Sequence, residues 1–396
     1  MLLLQAFSAY QQLSSLGTQL PENDGKAVGD MSDLYIHVGE RMRFRVPDGL
    51  LEFGEPVTSE QFHQTFSKFI VDFEKRIEVT GRVEEAYDLP VLLQTFEDES
   101  NPGNGQPVPD LLETITRVRM TVYKHSRGSK YAAVVRFNPA EPLPLADLAL
   151  EQLARGLLDD LRGAILVTGP THAGKTYTMS SMIAHINASQ QGHIVTIEDP
   201  IEIPIPPDKC VVSQLELGPD VTSFASGVIG SLRQSPIAVM VGEIRDAETA
   251  QAALRVVQGG HFLLAGLHGP DAVGALRAYC SFLDPTRADQ ERAQFAQRLN
   301  GVIYQVLVRS KDGKKYFVAC EVISFLSAAP LRKKLALGDF DGLSAALMSG
   351  ESGTISLNHS LKRLIAAESI SFADAKKATY DAGELFKICN AVGLAG

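Results

Sequence analysis

The chain lacks tryptophan and has only four cysteines among its 396 residues. Cys210, Cys280, Cys320 and Cys389 form no C-x-x-C pair, which argues against a zinc site or a disulfide framework and fits a reducing compartment. No apolar run reaches the ~20 residues that a transmembrane helix needs. Residues 1–13 have no basic region, and glutamines interrupt their apolar run, so they make a poor signal peptide. We therefore expect a cytoplasmic protein that meets a membrane only through partners.

The chain also lacks an excess of positive charge. It contains 37 Lys and Arg against 47 Asp and Glu, for a net charge of −10. This balance argues against a broad nucleic-acid-binding surface, so we expect no direct nucleic-acid partner. The 45% hydrophobic and 21% charged composition is ordinary for a globular protein, and the length suggests two or three domains.

A phosphate-binding loop is the strongest motif present. The short apolar run Ala164–Val167 leads into Gly169–Thr176, which fits the pattern G-x-x-x-x-G-K-[ST]. Two glycines let the backbone N–H groups approach a polyphosphate, Lys175 can reach its outer phosphates, and the Thr176 hydroxyl can ligate Mg²⁺. The alternative is a glycine-rich turn that binds nothing. We predict nucleotide binding by Gly169, Pro170, Thr171, His172, Ala173, Gly174, Lys175, Thr176 and Tyr177.

Composition and periodicity divide the chain into five parts. Residues 1–30 form an extension, 31–137 a small α+β domain, 138–144 a linker, 145–327 an α/β core, and 328–396 a helical region. Within the first domain we expect a strand pair around Gly39 and a hairpin over 117–137, with an exposed loop at 97–110. Thr58 and Gln61 predict a capping box. It begins a helix with an apolar stripe: Phe62, Phe66, Phe69, Ile70, Phe73 and Ile77.

After the phosphate loop, strands alternate with helices. We predict strands at 193–197, 237–241 and 261–267, and a helix over 247–257. This alternation is typical of a parallel sheet, which binds its ligand at the carboxyl ends of the strands. A hairpin follows at 303–323, and the chain beyond Ser327 is helical in character.

Acidic and histidine side chains lie near these strand ends. Glu243 follows an apolar strand and could hold Mg²⁺ directly or through water; the alternative is an ordinary surface acid. Glu198, Asp199 and Glu202 form a second cluster, whose like charges favour a shared cation over a merely solvated turn. His261 and His268 flank one strand, although such histidines are more often satisfied structural groups.

Four motifs taken in order resemble one family. GPTHAGKT, TIEDPIE, VGEIRDAETAQAAL and GGHFLLAGLH are similar to the Walker A, Asp box, atypical Walker B and His box of the type II/type IV secretion and pilus ATPases. The resemblance extends from about Ser32 to the end of the chain. It implies a PAS-like α+β domain, then a RecA-like P-loop NTPase domain with a parallel sheet, then a small C-terminal helical tail.

The resemblance also implies residue roles. Lys175 and Thr176 would bind phosphate and Mg²⁺, Glu243 would handle Mg²⁺, and Glu202 would be the general base toward water. His261 and His268 would sense the γ-phosphate and the neighbouring subunit. Three arginines of the first domain would act as fingers on nucleotide held between domains, although exposed strand charges are the alternative: Arg119, Arg127 and Arg136.

The implied activity is Mg²⁺-dependent ATP hydrolysis by a homo-hexamer. The ring would lie at the inner face of the inner membrane and push or pull on a platform protein of a pilus or secretion machine. The chain departs from the family pattern in four places. Ser235–Ile237 carries no acid, His172 and Ala173 replace smaller or serine residues, Gly269 follows His268 where threonine is common, and residues 331–340 hold no clear AIRNLIRE motif.

These departures argue against a standard pilus-retraction role more strongly than they argue against ATPase activity. They leave open a low-turnover nucleotide-binding regulator or assembly platform, or an ATPase for conjugation or effector export. A small-molecule kinase would share only the phosphate loop.

Overall fold

A computed structural model describes residues 33–46, 49–88, 115–139, 141–146, 148, 156–158, 161–313, 316–326 and 328–394. These residues divide into two compact units. The first contains the described residues up to Glu141 together with Glu202–Pro204, and the second contains most of the remainder. The predicted extension at 1–30 and the loop at 97–110 lie outside the described residues.

The first unit is built on an antiparallel sheet of six strands in the order β3-β2-β1-β6-β5-β4. Its strands are β1 (Asp33–His37), β2 (Met42–Val46), β3 (Gly49–Phe53), β4 (Arg82–Asp88), β5 (Ile115–His125) and β6 (Lys130–Pro139). The strand pair around Gly39 and the later hairpin are confirmed. Asn138 and Pro139, predicted to open the linker, instead belong to β6, and Asn138 is buried.

The apolar stripe is carried by two helices, so the prediction of one continuous helix is wrong. These are α1 (Ser59–Phe66) and α2 (Phe73–Thr80). The capping box of Thr58 and Gln61 is confirmed. Asp72 adopts a left-handed conformation at φ 52°, which helix geometry does not allow, and the chain turns there. The apolar residues are still buried or half-buried against the sheet, because the break redirects the stripe without exposing it.

The second unit contains an eight-stranded sheet in the order β14-β13-β12-β7-β11-β10-β8-β9. Strands β12, β7, β11, β10, β8 and β9 run parallel to one another, and β13 and β14 are antiparallel additions beyond β12. The strands are β7 (Ala164–Thr168), β8 (Gly192–Glu198), β9 (Cys210–Glu216), β10 (Ala238–Val241), β11 (Phe262–Leu267), β12 (Leu299–Arg309), β13 (Tyr316–Ser324) and β14 (Thr354–Ile355).

Helices cover this sheet and continue to the end of the described chain. They are α3 (Lys175–Ser189), α4 (Phe224–Ser231), α5 (Ala247–Gln258), α6 (Ala272–Ser281), α7 (Ala288–Arg298), α8 (Ala329–Leu337), α9 (Phe340–Ser349), α10 (Leu357–Ala366), α11 (Phe372–Ala378) and α12 (Ala382–Asn390). The inner strands are apolar throughout because both faces of the sheet are buried. Among the described residues, no helix combines the length and apolar character needed to cross a membrane.

Candidate active site

The phosphate loop lies at the carboxyl end of β7, between that strand and α3. Gly169 has φ 152°, and a Cβ there would lie 2.3 Å from the Gln305 carbonyl oxygen, so only glycine fits. Gly174 is also left-handed, at φ 79°. His172 adopts φ 64° with a full side chain, which makes it a strained position in the loop.

The loop presents the groups that bind an anion. Gly174 is the N-cap of α3 and offers no side chain to the first N–H groups of that helix. The Lys175 ammonium donates to the loop carbonyls of Gly169 at 2.9 Å and Pro170 at 3.2 Å. Partial burial lowers the pKa of Lys175, and the negative charge of Glu243 opposes that shift. The Lys175 ammonium therefore lies over the phosphate loop itself. It does not point into a closed apolar interior.

Glu243 lies at the same edge of the sheet as this loop. It comes two residues after β10, whose Val241 pairs with Ala265 of β11, while Leu267 pairs with Thr168 of β7. The Glu243 side chain is only 12% exposed. Its Oε2 atom lies 2.6 Å from Arg245 Nη2, and its Oε1 atom lies 2.5 Å from His268 Nε2. The fold thus brings together Lys175, Glu243 and His268, which are separated by up to 93 positions in the sequence.

The donor set at this edge is compatible with Mg²⁺. Glu243 Oε1 is buried without a hydrogen bond, because the close approach of His268 does not have hydrogen-bonding geometry. Thr176 is half-buried in the first turn of α3. No group of three or more His, Cys, Asp or Glu side chains among the described residues is arranged to hold a metal. Mg²⁺ commonly uses one or two protein ligands together with phosphate oxygens and water, and these residues fit that pattern.

The second acidic cluster does not act as one shared cation site in this structure. Glu198 is buried and accepts from Thr196 Oγ1 at 2.7 Å and from Gln214 Nε2 at 3.0 Å. Asp199 lies 3.8 Å from Arg245 Nη1. Each carboxylate is compensated by a different neighbour, so the expectation of a cation shared among the three is wrong. The pairing of Glu198 with Gln214 could not be read from the sequence, because Gln214 lies on β9, a strand that was not predicted.

Glu202 belongs to the first unit, where it faces arginines. Its Oε1 atom lies 3.5 Å from Arg119 Nη1. Arg119 is directly opposite Arg136 in the β5–β6 pair, and Arg136 Nε donates to the buried Asp33 at 2.9 Å. Burial alone would lower the pKa of Arg136, but the hydrogen bond that Arg136 donates to Asp33 and the charges of Asp33 and Glu202 raise it overall. Both arginines are therefore fixed cations on one face of this sheet.

Arg127 is separate from the other two arginines. It lies in the exposed turn between β5 and β6 with φ 57°. Arg119 is six strand residues before the end of β5, which corresponds to about 20 Å of extended chain. The three arginines therefore do not form one cluster, and Arg127 has a different geometric role from Arg119 and Arg136.

His261 lies away from the phosphate loop of its own chain. It immediately precedes β11, whereas the loop lies beyond the other end of the parallel neighbour β7. Six strand residues separate these two edges by about 20 Å. Its Nδ1 atom is 2.8 Å from the Pro236 carbonyl oxygen, a backbone contact typical of a structural histidine. His261 is therefore at the opposite edge of the sheet from the phosphate loop of its own chain, and its role in sensing the γ-phosphate and a neighbouring subunit stays a prediction.

Gln305 supports the phosphate loop and was missed in the sequence. It is fully buried in β12, and its Nε2 atom donates to the Ala173 carbonyl oxygen at 2.7 Å. The Gln305 carbonyl oxygen also lies against Gly169. A lone amide within the apolar run of β12 was the available signal, because a buried polar side chain needs a hydrogen-bond partner.

Comparison with known proteins matches residues 135–357 to the family described as type II/IV secretion system protein. A type IV pilus retraction ATPase, PilT of Pseudomonas aeruginosa, is 30% identical over 348 residues, covering 87% of this chain and 93% of its own. The chain belongs to the type II/IV secretion system protein family. Within this family, a twitching motility protein of Neisseria gonorrhoeae is 31% identical over 255 residues, covering 64% of this chain and 67% of its own.

Solved structures agree with this membership. A crystal structure of the pilus retraction motor PilT with bound ADP has a TM-score of 0.72 and 27% identity, and covers 90% of this chain and 95% of its own. The ATPase DotB of Legionella pneumophila also has a TM-score of 0.72, at 22% identity, and covers 88% of this chain and 91% of its own. The DotB comparison shows a shared mixed α/β fold alone.

Proposed function

We propose that this chain is a Mg²⁺-dependent ATPase that works as a homo-hexameric motor of a pilus or secretion machine. Its first unit corresponds to a PAS-like domain, and its second to a RecA-like domain over 145–327 with a C-terminal helical tail over 328–396. The ring acts at the cytoplasmic face of the inner membrane on a platform protein. Family membership and the similarity to PilT support the motor assignment.

One observation carries the proposal: a glycine-rich loop and its lysine share a sheet edge with a nearly buried carboxylate. Lys175 and Glu243 are close enough for the charge of Glu243 to affect the pKa of Lys175. A nucleotide triphosphate places its negative charges over such a loop, where the lysine and helix N–H groups can bind them. The carboxylate would repel the phosphates unless a divalent cation lay between them.

Each group of residues at the site has a separate role in this proposal. The loop Gly169–Tyr177 binds the phosphates. Thr176 and Glu243 would hold Mg²⁺, which would neutralise negative charge on the phosphate oxygens. His268 orients Glu243 through Oε1, while Arg245 lies against Oε2. Glu202 takes the proton of the attacking water. Arg119 and Arg136 supply positive charge to the transferred phosphoryl group, and Arg127 supplies it to nucleotide held by a neighbouring subunit.

A low-turnover regulator or assembly platform of the same machine is the second candidate. The segment Ser235–Ile237 carries no acid before β10. In addition, Arg245 and His268 both lie against Glu243, so magnesium would have to compete with a guanidinium and an imidazole for it. Rapid ATP turnover by the assembled protein would exclude this candidate.

The deciding experiment measures phosphate release by the full chain and by Lys175→Ala and Glu202→Gln variants. We expect each variant to lose about a hundredfold or more in turnover, since each removes a group that acts on the phosphates or the water. Lys209→Ala, which removes an exposed lysine of the second unit, is the matched control. Wild-type turnover by Lys175→Ala or Glu202→Gln would refute the site assignment.

A further inference from the structure

A buried carboxylate that the proposed mechanism does not use lies in β13. Glu321 is fully buried, and it is directly opposite Tyr304 of β12. Tyr304 in turn pairs with Thr168, the residue immediately before Gly169. Glu321 therefore lies in the same region of the sheet as the phosphate loop. A charge buried in this way is costly unless hydrogen bonds compensate it.

Three parts of the chain compensate Glu321. Its Oε1 atom accepts from the backbone N–H of Ala272 at 2.9 Å, and its Oε2 atom accepts from the Tyr380 hydroxyl. The backbone N–H of Leu357 also donates to this carboxylate. Burial raises the pKa of Glu321, while these hydrogen bonds oppose the shift.

Two of the three donors begin helices. Ala272 is the first residue of α6, and Leu357 is the first residue of α10. Helix N-termini favour a negative charge because their N–H groups and dipoles point toward it. One carboxylate thus fixes the starts of α6 and α10 and the turn that contains Tyr380.

The start of α6 sets the position of His268. Only Gly269, Pro270 and Asp271 separate His268 from Ala272. A Cβ on Gly269 would lie 2.7 Å from the backbone nitrogen of Ala275, so this connection packs tightly on the helix. Asp271 Oδ1 accepts from the Gly274 N–H at 2.6 Å and fixes the same turn. A movement of the α6 N-terminus would therefore move His268 relative to Glu243.

We propose that Glu321 is a positioning residue that ties the C-terminal helices to the loop holding His268 against Glu243. Tyr380 as a residue is 59% exposed, so a partner that displaces its turn can reach this network from the surface. The C-terminal helices thereby control the rate of ATP turnover without touching the nucleotide. This consequence rests on the proposed function, whereas the positioning of the loop does not.

The first measurement needs no ATPase activity. Hydrogen exchange is followed in the full chain without nucleotide, for wild type, Glu321→Gln and Tyr380→Phe. Exchange in peptides covering 268–275 is expected to accelerate about tenfold in Glu321→Gln, with a smaller increase in Tyr380→Phe, because local opening becomes easier. Tyr316→Phe is the matched control. Like Tyr380→Phe it removes the hydroxyl of an exposed tyrosine, but Tyr316 lies at the start of β13.

The second measurement separates positioning from general damage. In both variants kcat is expected to fall, by about tenfold in Glu321→Gln, while KM for ATP stays within about twofold, because the phosphate loop is unchanged. Unchanged exchange at 268–275 overturns the inference, and so does uniform acceleration across the second unit with kcat and KM both impaired. A wild-type protein without turnover contradicts the proposed function alone, and the exchange rates then decide this inference.

Discussion

At the residue scale, the environment of Glu243 controls the candidate site. The carboxylate is nearly buried, and Arg245 and His268 lie against its two oxygens while Lys175 is close enough to interact with its charge. Such a group acts through its negative charge more than through its shape. Removing the charge should therefore separate metal-dependent chemistry from binding of the nucleotide itself.

Glu243→Gln keeps the side-chain volume and removes the charge. We expect ATP turnover to fall about a hundredfold and to require more Mg²⁺, because the amide is a weaker ligand for the cation. Titration of turnover with Mg²⁺ measures both effects. Glu248→Gln is the control, since Glu248 is an exposed acid in the first turn of α5. An unchanged Mg²⁺ requirement in Glu243→Gln would exclude Glu243 as a metal ligand.

His37 makes the first unit sensitive to pH. Its ring lies 5.1 Å from that of His125, centre to centre, and Glu40 and Arg43 are the charged groups beside it. Burial lowers the pKa of His37 below its ordinary value of 6.5; Glu40 opposes the shift, and His125 and Arg43 add to it. The folded state therefore binds a proton less readily than the unfolded state. Stability from this group is present above pH 6.5 and is lost as the pH falls toward the lowered pKa.

This pH dependence is measured by hydrogen exchange of β1 and β5 peptides, after correction for the intrinsic effect of pH on exchange. We expect weaker protection at pH 5.5 than at pH 7.5 in wild type, and a smaller difference in His37→Gln. Equal pH dependence in the two proteins would show that His37 does not contribute.

At the element scale, the phosphate loop combines a local pattern with support from a distant strand. The sequence predicted its limits and its glycines because both depend on contiguous residues. The sequence did not reveal Gln305, whose hydrogen bond to Ala173 depends on β12 lying beside β7. The predicted helix over the phenylalanine stripe failed for a related reason: periodicity records which residues are buried, and two short helices bury the same residues.

Gln305→Met preserves the side-chain length but removes the hydrogen bond to Ala173. We expect KM for ATP to rise about tenfold, because the loop loses a buried hydrogen bond that holds it in its binding conformation. Steady-state kinetics measure this effect, and Gln297→Met, at an exposed glutamine of α7, is the control. If both variants keep the wild-type KM, Gln305 does not support the loop.

His172→Gly tests the strain in the same loop. Glycine adopts φ 64° without the steric cost that histidine has there, so the free energy of unfolding should increase by about 0.5–1 kcal/mol. Urea titration of the second unit, followed by circular dichroism, measures the change. A decrease in stability would mean that the imidazole makes contacts worth more than the strain.

At the scale of the whole molecule, the proposed ring requires residues of one subunit to act on nucleotide held by another. Arg127 is suited to this role because it is exposed at a hairpin turn, away from Arg119 and Arg136. Lys175, by contrast, is proposed to act on the nucleotide of its own chain. The two residues should therefore complement each other in mixed assemblies.

We expect Arg127→Ala and Lys175→Ala to be inactive alone, with Arg127→Ala losing about a thousandfold in turnover, the lower limit typical of an arginine finger. Mixing the two variants under conditions that exchange subunits should restore part of the activity. Mass measurements of the mixture confirm that mixed hexamers form. Mixed hexamers without recovered turnover would contradict action of Arg127 across a subunit boundary.

The sequence by itself determined the phosphate loop, most of the strands and helices, and the order of the four motifs that carry the family resemblance. These features depend on residue type and short-range spacing, which a linear pattern records completely. Only the tertiary structure decided the partners: Glu198 with Gln214, Glu202 with Arg119, and Glu321 with two helix starts. The tertiary structure also shows that His261 lies at the edge of the sheet opposite the phosphate loop. The sequence could not decide this, because the direction of a strand within a sheet follows from pairing with distant strands.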